Sequence, residues 1–333
     1  MTSFIATADR LIANASDDSD QLRPGDRAYT TSLTAADLQN IQFEPLRYVV
    51  PGYLAEGATL LAGKPKLGKS WLALDWCISV AIGGFAMGSM ELKCEQGDVL
   101  YAALEDNPRR LQRRIKQVIP DGDAWPGRLT LTTTMRRVDA GLCDDIRAWA
   151  NASENPRLLV LDTLARIRPP GKRNDNPYEA DYRAVAPFLA LAAELQIAIV
   201  IVHHTRKAEA DDPLDMVSGT TGLTGGVDSV IVLTRDGQGT VLHGRGRDLD
   251  DFEVAVKLDT SGRWSVLGDA NEVRRSKERN QILEAVRRLG EAGPKEIAEV
   301  SELKLDSVKH LVRRMAFQGE LESRERGSYR IPV

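Results

Sequence analysis

The residue pattern with the clearest chemical meaning is GKPKLGKS at residues 63–70, which follows an apolar run and precedes an apolar helical pattern. It satisfies G-x-x-x-x-G-K-[ST], in which glycines let backbone N–H groups face a phosphate and the following helix adds its N-terminal dipole. Lys69 is expected to reach the β- and γ-phosphates of a nucleotide, and Ser70 to bind Mg²⁺. Lys64 and Lys66 match no fixed position, and solvated side chains are the simpler interpretation for both. The residues predicted to line the nucleotide site are Gly63, Lys64, Pro65, Lys66, Leu67, Gly68, Lys69, Ser70 and Trp71.

Two carboxylates that end buried strands are candidates for the chemistry of that nucleotide. The strand in DVLYAALED ends at Glu105 and Asp106, and the strand in LLVLD ends at Asp162. Ligands bind beyond the carboxyl ends of parallel strands, so Glu105 is predicted to orient the attacking water and Asp162 to hold Mg²⁺ through water. Alternatively, Asp162 only ends its strand. Asp106 or Asn107 can also cap the helix begun by Pro108, which is compatible with catalysis by Glu105.

The elements that must position these residues are strands alternating with helices, an order that predicts a parallel sheet covered by helices. Strands are predicted at residues 59–62, 98–104, 129–132, 158–161 and 197–202, and helices at 108–118, 142–151 and 178–195. Beyond residue 226, short strands joined by DGQG and TSG turns predict an antiparallel meander that extends the sheet. The predicted fold class is therefore α/β.

The last sixty residues follow another pattern. A break is predicted at GDANEVRRSKERN, followed by helices at 277–289, 294–301 and 305–318 and a hairpin in LESRERGSYRIPV, a series typical of a winged helix-turn-helix domain. From Arg274 onward the chain has 14 Lys/Arg and 10 Asp/Glu, a net charge of +4, which leaves −8 for the preceding residues. The predicted organisation is a flexible leader at 1–40, an α/β nucleotide-binding domain at 41–270 and a winged-helix domain at 274–333.

The Walker A loop, the ALED strand end, LLVLDT and the strand ending IVHHTRK together resemble the RecA-type ATPases. Within the AAA ATPase grouping, residues 45–268 are similar to the plasmid and phage RepA-type hexameric replicative helicases. The resemblance implies a RecA-like P-loop NTPase core, ATP and Mg²⁺ as ligands, and assembly into a homo-hexameric ring. It also implies an ATP-driven motor that moves along single-stranded DNA and opens duplexes in plasmid or phage replication.

The resemblance further implies a γ-phosphate sensor at the end of the fourth core strand. RecA-type ATPases carry a polar side chain there, which corresponds to His204 in this sequence. His203 is the alternative, because only one of two adjacent strand residues faces the ligand. For His203 a simple hydrogen-bonding role at the strand end is the preferred interpretation.

Ring helicases complete the ATP site with basic residues of a neighbouring subunit, and Arg245-x-Arg247 in HGRGRD resembles such a pair. An arginine of this kind stabilises charge in the transition state. The plasmid helicases place an arginine on the preceding strand, where this chain has none before Arg235. The two arginines can equally be explained by pairing with Asp248 or Asp250.

Two long segments, 166–182 and 205–228, interrupt the core, and loops of such length are usually functional or disordered. In RecA-like proteins they face a central channel, which implies binding of single-stranded DNA. The first segment has a basic cluster of Arg166, Arg168, Lys172 and Arg173, although a solvated loop would have the same composition. In the second segment Asp211, Asp212 and Asp215 would repel phosphates, so only its SGTTGLTGG part suits a DNA backbone.

The C-terminal segment LKLDSVKHLVRRMAFQGEL is predicted to be a recognition helix, with Leu311, Val312 and Met315 at core spacing. Its outer face would carry Lys304, Ser307, Lys309, His310, Arg313 and Arg314, and the wing would carry Arg324, Arg326 and Arg330. A helix with basic flanks predicts binding of duplex DNA. Winged helices also mediate protein contacts, which is the alternative here.

Composition limits the remaining classes of protein. The 333 residues, 42% of them hydrophobic, suit one large domain and one small domain. No signal peptide and no stretch of about 18 uncharged apolar residues is found, so a cytoplasmic protein without a membrane partner is expected. Three distant cysteines imply no metal or disulfide framework. The alternative to the motor is a DNA-bound, ATP-dependent switch, whereas a small-molecule kinase does not explain the C-terminal helices.

Overall fold

The structure is a computed structural model that describes residues 34–42, 45–171, 175–205, 212–217, 221–324 and 327–332. The chain divides into two units, residues 1–45 and residues 46–333. The described part of the first unit contains the short helix α1 (Ala35–Gln39). Most of the predicted leader at 1–40 lies outside the described residues.

A mixed sheet organises the second unit. Within the described ranges its nine strands are β3 (Gly57–Gly63), β4 (Asp98–Ala103), β5 (Leu129–Thr132), β6 (Pro156–Asp162), β7 (Ala198–His204), β8 (Ser229–Asp236), β9 (Gly239–Gly246), β10 (Phe252–Leu258) and β11 (Trp264–Asp269), in the spatial order β11-β10-β9-β8-β3-β7-β6-β4-β5. The six strands from β8 to β5 in that order run parallel, and β9 to β11 continue the sheet antiparallel. The predicted parallel sheet with an antiparallel meander is therefore confirmed. Two short strands, β1 (Tyr48–Val50) and β2 (Leu54–Ala55), pair separately.

Helices cover both faces of the sheet. They are α2 (Lys69–Ile82), α3 (Pro108–Val118), α4 (Leu142–Ala152), α5 (Leu164–Ile167), α6 (Pro177–Leu195) and α7 (Gly222–Gly225). Leu61 and Val160 pack with Leu72 of α2 on one face, whereas Leu60 packs with Phe188 of α6 on the other. Because both faces are buried, the parallel strands read as continuous apolar runs in the sequence. Among the described residues, no helix is long and apolar enough to cross a membrane.

The C-terminal residues form three helices and a small sheet. The elements are α8 (Ala270–Leu289), β12 (Glu291–Ala292), α9 (Pro294–Ser301), α10 (Leu305–Phe317), β13 (Glu322–Ser323) and β14 (Tyr329–Arg330), with the strands in the order β12-β14-β13. Ile282, Ile297 and Val312 belong to a hydrophobic cluster of their own. The winged-helix assignment stays a prediction.

The start of α8 corrects the sequence analysis. The helix begins at Ala270, not at Lys277, so much of the segment predicted as a break is helical. Asp269, the last residue of β11, caps α8, because its carboxylate accepts hydrogen bonds from the N–H groups of Asn271 (2.9 Å) and Glu272 (3.0 Å). The first turns of α8 are polar, so apolar periodicity did not indicate them.

Ion pairs and hydrogen bonds then hold α8 against the sheet. Arg274 lies 2.6 Å from the carboxylate of Asp236 at the β8–β9 turn, and Lys277 donates to the carbonyl of Gln238 in that turn at 2.6 Å. The helix that leads into the C-terminal module is therefore anchored to the antiparallel part of the sheet.

A buried carboxylate on α2 predicts a pH dependence of stability. Asp75 accepts a hydrogen bond from the N–H of Met87 at 2.8 Å, and burial raises the pKa of Asp75 to about 7. Its folded-state pKa lies above its unfolded value, so this group stabilises the fold below about pH 4, and the contribution is lost as the pH rises through about 7. We expect Asp75→Asn to raise the free energy of unfolding at pH 8 by roughly 1–3 kcal/mol and to change it less at pH 5.

Unfolding of wild type and variant at the two pH values checks this expectation. The exposed Asp250→Asn is the matched control and should leave the free energy of unfolding nearly unchanged at both. An Asp75→Asn variant that is equally destabilised at pH 5 and pH 8 would contradict the prediction.

Candidate nucleotide site

The predicted phosphate loop joins β3 to α2 in the expected strand–loop–helix order. Gly68 has a left-handed backbone with φ +100° directly before the helix, a conformation that favours glycine. Lys64 and Lys66 are exposed, in agreement with solvated side chains, whereas Lys69 is only 4% exposed. One of the three lysines in this loop therefore points inward.

The Lys69 ammonium lies at the centre of the site. Its Nζ atom is 2.6 Å from the carbonyl oxygen of Gly63, 3.0 Å from that of Lys64 and 3.1 Å from Nδ1 of His204. Burial lowers the pKa of Lys69 to about 8, and the charges of Asp162 and Glu105 oppose that shift. A buried cation held by carbonyl oxygens is suited to receive an anionic ligand.

The strand register brings the other predicted residues to the same edge of the sheet. Gly63 of β3 pairs with His204 of β7, Val202 of β7 pairs with Asp162 of β6, and Asp162 pairs with Ala103 of β4. The loop with Lys69, His204, Asp162 and Glu105 therefore follow four neighbouring parallel strands. This edge is where ligands bind in open α/β sheets.

Asp162 is buried and hydrogen-bonded on two sides. The hydroxyl group of Tyr101 donates to its Oδ2 at 3.0 Å, and the Ser70 side chain also bonds to this carboxylate. Burial raises the pKa of Asp162, and the bonds from Ser70 and Tyr101 oppose the shift. Sequence analysis missed Tyr101, which reads as an ordinary core residue of β4; only the pairing of β4 with β6 brings it to Asp162.

Glu105 and its neighbour Asp106 differ in their surroundings. The Glu105 side chain is 49% exposed, accepts a hydrogen bond from Thr163 Oγ1 at 3.0 Å, and lies 3.7 Å from Nε2 of His204. Asp106 is almost buried and forms ion pairs with Arg110 and Arg114. Glu105 therefore keeps an accessible carboxylate oxygen, whereas Asp106 stabilises the start of α3.

The predicted cap of α3 is confirmed. The Asn107 side chain accepts a hydrogen bond from the N–H of Arg110 at 2.9 Å, and Pro108 occupies the first turn. The cap belongs to Asn107 and leaves Glu105 free of that function.

The two adjacent histidines face different surroundings. His204 contacts Lys69 and Glu105, as described above. His203 lies near the ion pair of Arg168 with Asp181, and burial, with the neighbouring His204 charge, lowers the pKa of His203 to about 4. Of the two candidates, His204 is therefore the one that lies in the nucleotide site.

The arginines of the HGRGRD segment lie away from this site. Strand pairing sets Arg245 level with Leu60 of β3 and Arg247 level with Ala58. Arg247 is thus about 17 Å along the strands from the level of Gly63. Neither arginine reaches the phosphate loop of its own chain by this register.

The alternative partners considered for these arginines are wrong. Arg245 pairs with Asp212 at 3.2 Å and with Asp251 at 3.0 Å, and Arg247 lies 3.8 Å from Asp228. The acidic partners come from other loops, so the proximity of Asp248 and Asp250 in the sequence was misleading. Both arginines stay more than half exposed.

The segments predicted to face DNA are shorter than expected where the structure describes them. Helix α5 includes Arg166, which donates to the carbonyl of Leu104 at 3.1 Å, and α6 begins at Pro177. Arg168 pairs with Asp181 at 2.6 Å. Lys172, Arg173, Asp211 and residues 218–220 lie outside the described residues.

Helix α10 presents a basic surface. Val308, Val312 and Met315 are buried, while Leu311, predicted to be in the core, is partly buried at its edge. The exposed residues of the predicted outer face are Lys304, Lys309, His310, Arg313 and Arg314, and Ser307 is half-buried. On the predicted wing, Arg330 pairs with Glu322 at 2.7 Å, Arg324 lies 3.5 Å from the same residue, and Arg326 is outside the described residues.

The residues at the sheet edge fit a nucleotide with Mg²⁺. The start of α2 offers backbone N–H groups beside a buried ammonium, which suits phosphates. Mg²⁺ is usually bound by one or two protein oxygens together with phosphates and waters. Asp162, already bonded to the Ser70 side chain, provides such oxygens.

Comparisons with known proteins agree with this geometry. The AAA domain family AAA_25 matches residues 24–210. One solved ATPase domain has 15% sequence identity and a TM-score of 0.50, and the match covers 64% of this chain and 85% of that domain. A DnaB-like replicative helicase, solved to describe its interactions with primase, has 13% identity and a TM-score of 0.51, and the match covers 69% of this chain and 66% of the helicase chain. At such identities the likeness is one of fold, an α/β RecA-like P-loop core.

Proposed function

The chain belongs to the AAA domain family, and from this membership we propose that it is an ATP-hydrolysing motor that acts on DNA. The observation that carries the proposal is the meeting of Lys69, His204, Asp162 and Glu105 at the ends of four neighbouring strands. Such a set can bind the phosphates, hold the metal ion and orient water. The fold likeness to a replicative helicase supports the same direction.

Each residue of the set has a proposed task. Lys69 and the N–H groups of the loop bind the β- and γ-phosphates, and Ser70 holds Mg²⁺ together with Asp162. Glu105 orients the water that attacks the γ-phosphate, because its exposed carboxylate can accept a proton or a hydrogen bond from that water. His204 senses the γ-phosphate from its position between Lys69 and Glu105.

We further propose that the active form is a homo-hexameric ring of the RepA-like kind, working in plasmid or phage replication. Arg245 and Arg247 would act on the ATP site of a neighbouring subunit, since the register keeps them from the site of their own chain. Their exposure supports this role, although each would have to leave its aspartate partner. A mass near six protomers in the presence of ATP and DNA is the expected result of light scattering, and a strict monomer would contradict the ring.

Single-stranded DNA is the proposed partner of the loops after β6 and β7, and duplex DNA that of the C-terminal module. The proposed domains are the predicted ones, 41–270 and 274–333. Strand β12, between α8 and α9, pairs with β14 of the C-terminal hairpin, which supports a winged helix.

The alternative is a DNA-bound switch, such as a regulator, a recombination mediator or a defence sensor, in which ATP controls assembly without unwinding. The pairing of Arg168 with Asp181 favours it, because that arginine is not free for phosphates. A strand-displacement assay separates the two functions. ATP-dependent displacement supports the motor, and ATP hydrolysis without displacement supports the switch.

The basic face of α10 gives a prediction for duplex binding. Lys309 and Arg313 lie one turn apart and are exposed. We expect the double variant Lys309→Glu/Arg313→Glu to bind duplex DNA at least about tenfold more weakly, with a salt slope reduced by about 2, since two phosphate contacts are lost. Fluorescence anisotropy over a range of salt concentrations measures both quantities.

The matched control makes the same charge change on α8, with Arg287→Glu/Arg288→Glu, at two exposed positions. A specific surface on α10 predicts a much smaller loss for this control. Equal losses in both double variants would indicate that only the overall charge matters and would refute the recognition-helix hypothesis.

A further inference from the structure

Trp264 of β11 reaches the phosphate loop from the far side of the sheet. Its side chain is 1% exposed, and its indole N–H donates to the carbonyl oxygen of Gly68 at 3.3 Å. In the strand order, β11 is four strands away from β3, a separation of about 19 Å in a flat sheet. The antiparallel extension therefore curls around α2 and brings Trp264 to the loop.

The contact between Trp264 and Gly68 leaves no room for a side chain on the loop. A Cβ atom at position 68 would lie 2.7 Å from Cδ2 of Leu258 and 2.9 Å from Cζ2 of Trp264. The second glycine of the phosphate motif is thus required by this packing as well as by its left-handed backbone. The end of the loop and the β10–β11 hairpin fit together closely.

The turn of that hairpin is fixed at two more points beside the site. Gly262, at φ +86°, packs so closely on Trp71 that a Cβ atom would lie 2.4 Å from the indole ring. Arg263 donates through Nε to the carbonyl oxygen of Val118, at the end of α3, at 2.9 Å. The hairpin therefore contacts the phosphate loop, the first turn of α2 and the helix that follows Glu105.

We propose that Trp264 is a positioning residue of the nucleotide site, whose indole N–H fixes the carbonyl of Gly68 and thereby the last turn of the phosphate loop. The proposal rests on the proposed function, because it assumes that this loop binds nucleotide phosphates. The N–H groups of Trp71 and Leu72 already donate to the same carbonyl, each at 3.0 Å. The indole is a third donor, and it is the one that ties the helix start to a distant strand.

The hairpin also connects the site to the C-terminal module. β11 ends at Asp269, the cap of α8, five residues after Trp264. A displacement of Gly68 would thus be transmitted along one strand to the helix that carries the basic surface of α10. Trp264 is in this way the nearest part of the module's attachment to the phosphate loop.

The test compares Trp264→Phe with Trp76→Phe in the full chain. Both tryptophans are fully buried and both substitutions keep an aromatic ring, but among the described residues the indole N–H of Trp76 has no hydrogen-bond partner. We expect Trp264→Phe to bind ADP with Mg²⁺ about 2–10-fold more weakly by calorimetry, the effect of one lost hydrogen bond. Trp76→Phe should bind like the wild type although its stability falls similarly.

An unchanged dissociation constant for Trp264→Phe, with wild-type protein that binds ADP, would overturn the inference alone. Wild-type protein that binds no nucleotide would overturn the proposed function and the inference with it. Should Trp264→Phe fail to fold, the indole ¹⁵N–¹H signals of the wild type decide. The Trp264 signal, assigned as the one that persists in Phe variants of the four other tryptophans, should move on addition of ADP with Mg²⁺. A signal that stays in place would overturn the proposal.

Discussion

Lys69→Ala is expected to abolish ATP hydrolysis and to weaken binding of ATP with Mg²⁺ roughly 10–100-fold. The Lys69 ammonium is buried and contacts two loop carbonyls and His204, so it already stands where the phosphates would be received. A hydrogen bond to a charged group contributes about 1.5–3 kcal/mol, which corresponds to that range of affinity. Calorimetric titration and a steady-state phosphate-release assay measure the two effects.

The control for this variant is Lys116→Ala, which changes the net charge equally at an exposed position of α3. It should leave both binding and hydrolysis close to wild type. The folded state of Lys69→Ala must be verified by circular dichroism, because the carbonyls of Gly63 and Lys64 lose their donor. A folded Lys69→Ala variant that still hydrolyses ATP at the wild-type rate would refute the assignment of the loop.

Glu105→Gln has the second large expected effect. The amide keeps the size and the hydrogen bond from Thr163 but cannot take a proton from water, so nucleotide binding should persist while turnover falls by about 10²–10⁴-fold. A variant that binds ATP with Mg²⁺ but turns it over at the wild-type rate would remove Glu105 from this role. Rapid-quench measurement of a single turnover tests the chemical step itself.

The neighbouring Asp106→Asn is the informative control for Glu105→Gln. Asp106 holds Arg110 and Arg114 at the start of α3, so its substitution is expected to lower the melting temperature while much of the turnover remains. The opposite pattern, with turnover lost at Asp106 and kept at Glu105, would exchange the two residues in the mechanism.

Local sequence patterns predicted the core strands to within about two residues at each end, because these strands are apolar runs between turns. The Walker A spacing, the caps by Asn107 and Pro108, and the strand-ending acids are likewise local signals. Parallel strands bring their carboxyl ends to one edge, so the meeting of Lys69, Asp162 and Glu105 followed from the fold class.

The contacts that could not be predicted join distant parts of the chain. Tyr101 reaches Asp162 only through the β4–β6 pairing, and Trp264 reaches Gly68 only because the sheet curls around α2. The partners of Arg245 come from two loops whose approach no periodicity indicates. The start of α8 was missed for another reason, since its first turns are polar and Asp269 reads equally well as a turn residue.

The central claim is that ATP hydrolysis by this chain is coupled to DNA, and one measurement tests it most directly. The rate of ATP hydrolysis is measured with and without single-stranded DNA, for the wild type and for Glu105→Gln. We predict strong stimulation of the wild type by DNA and no stimulated turnover in Glu105→Gln. A wild-type rate that single-stranded DNA leaves unchanged would contradict the motor and favour the DNA-bound switch.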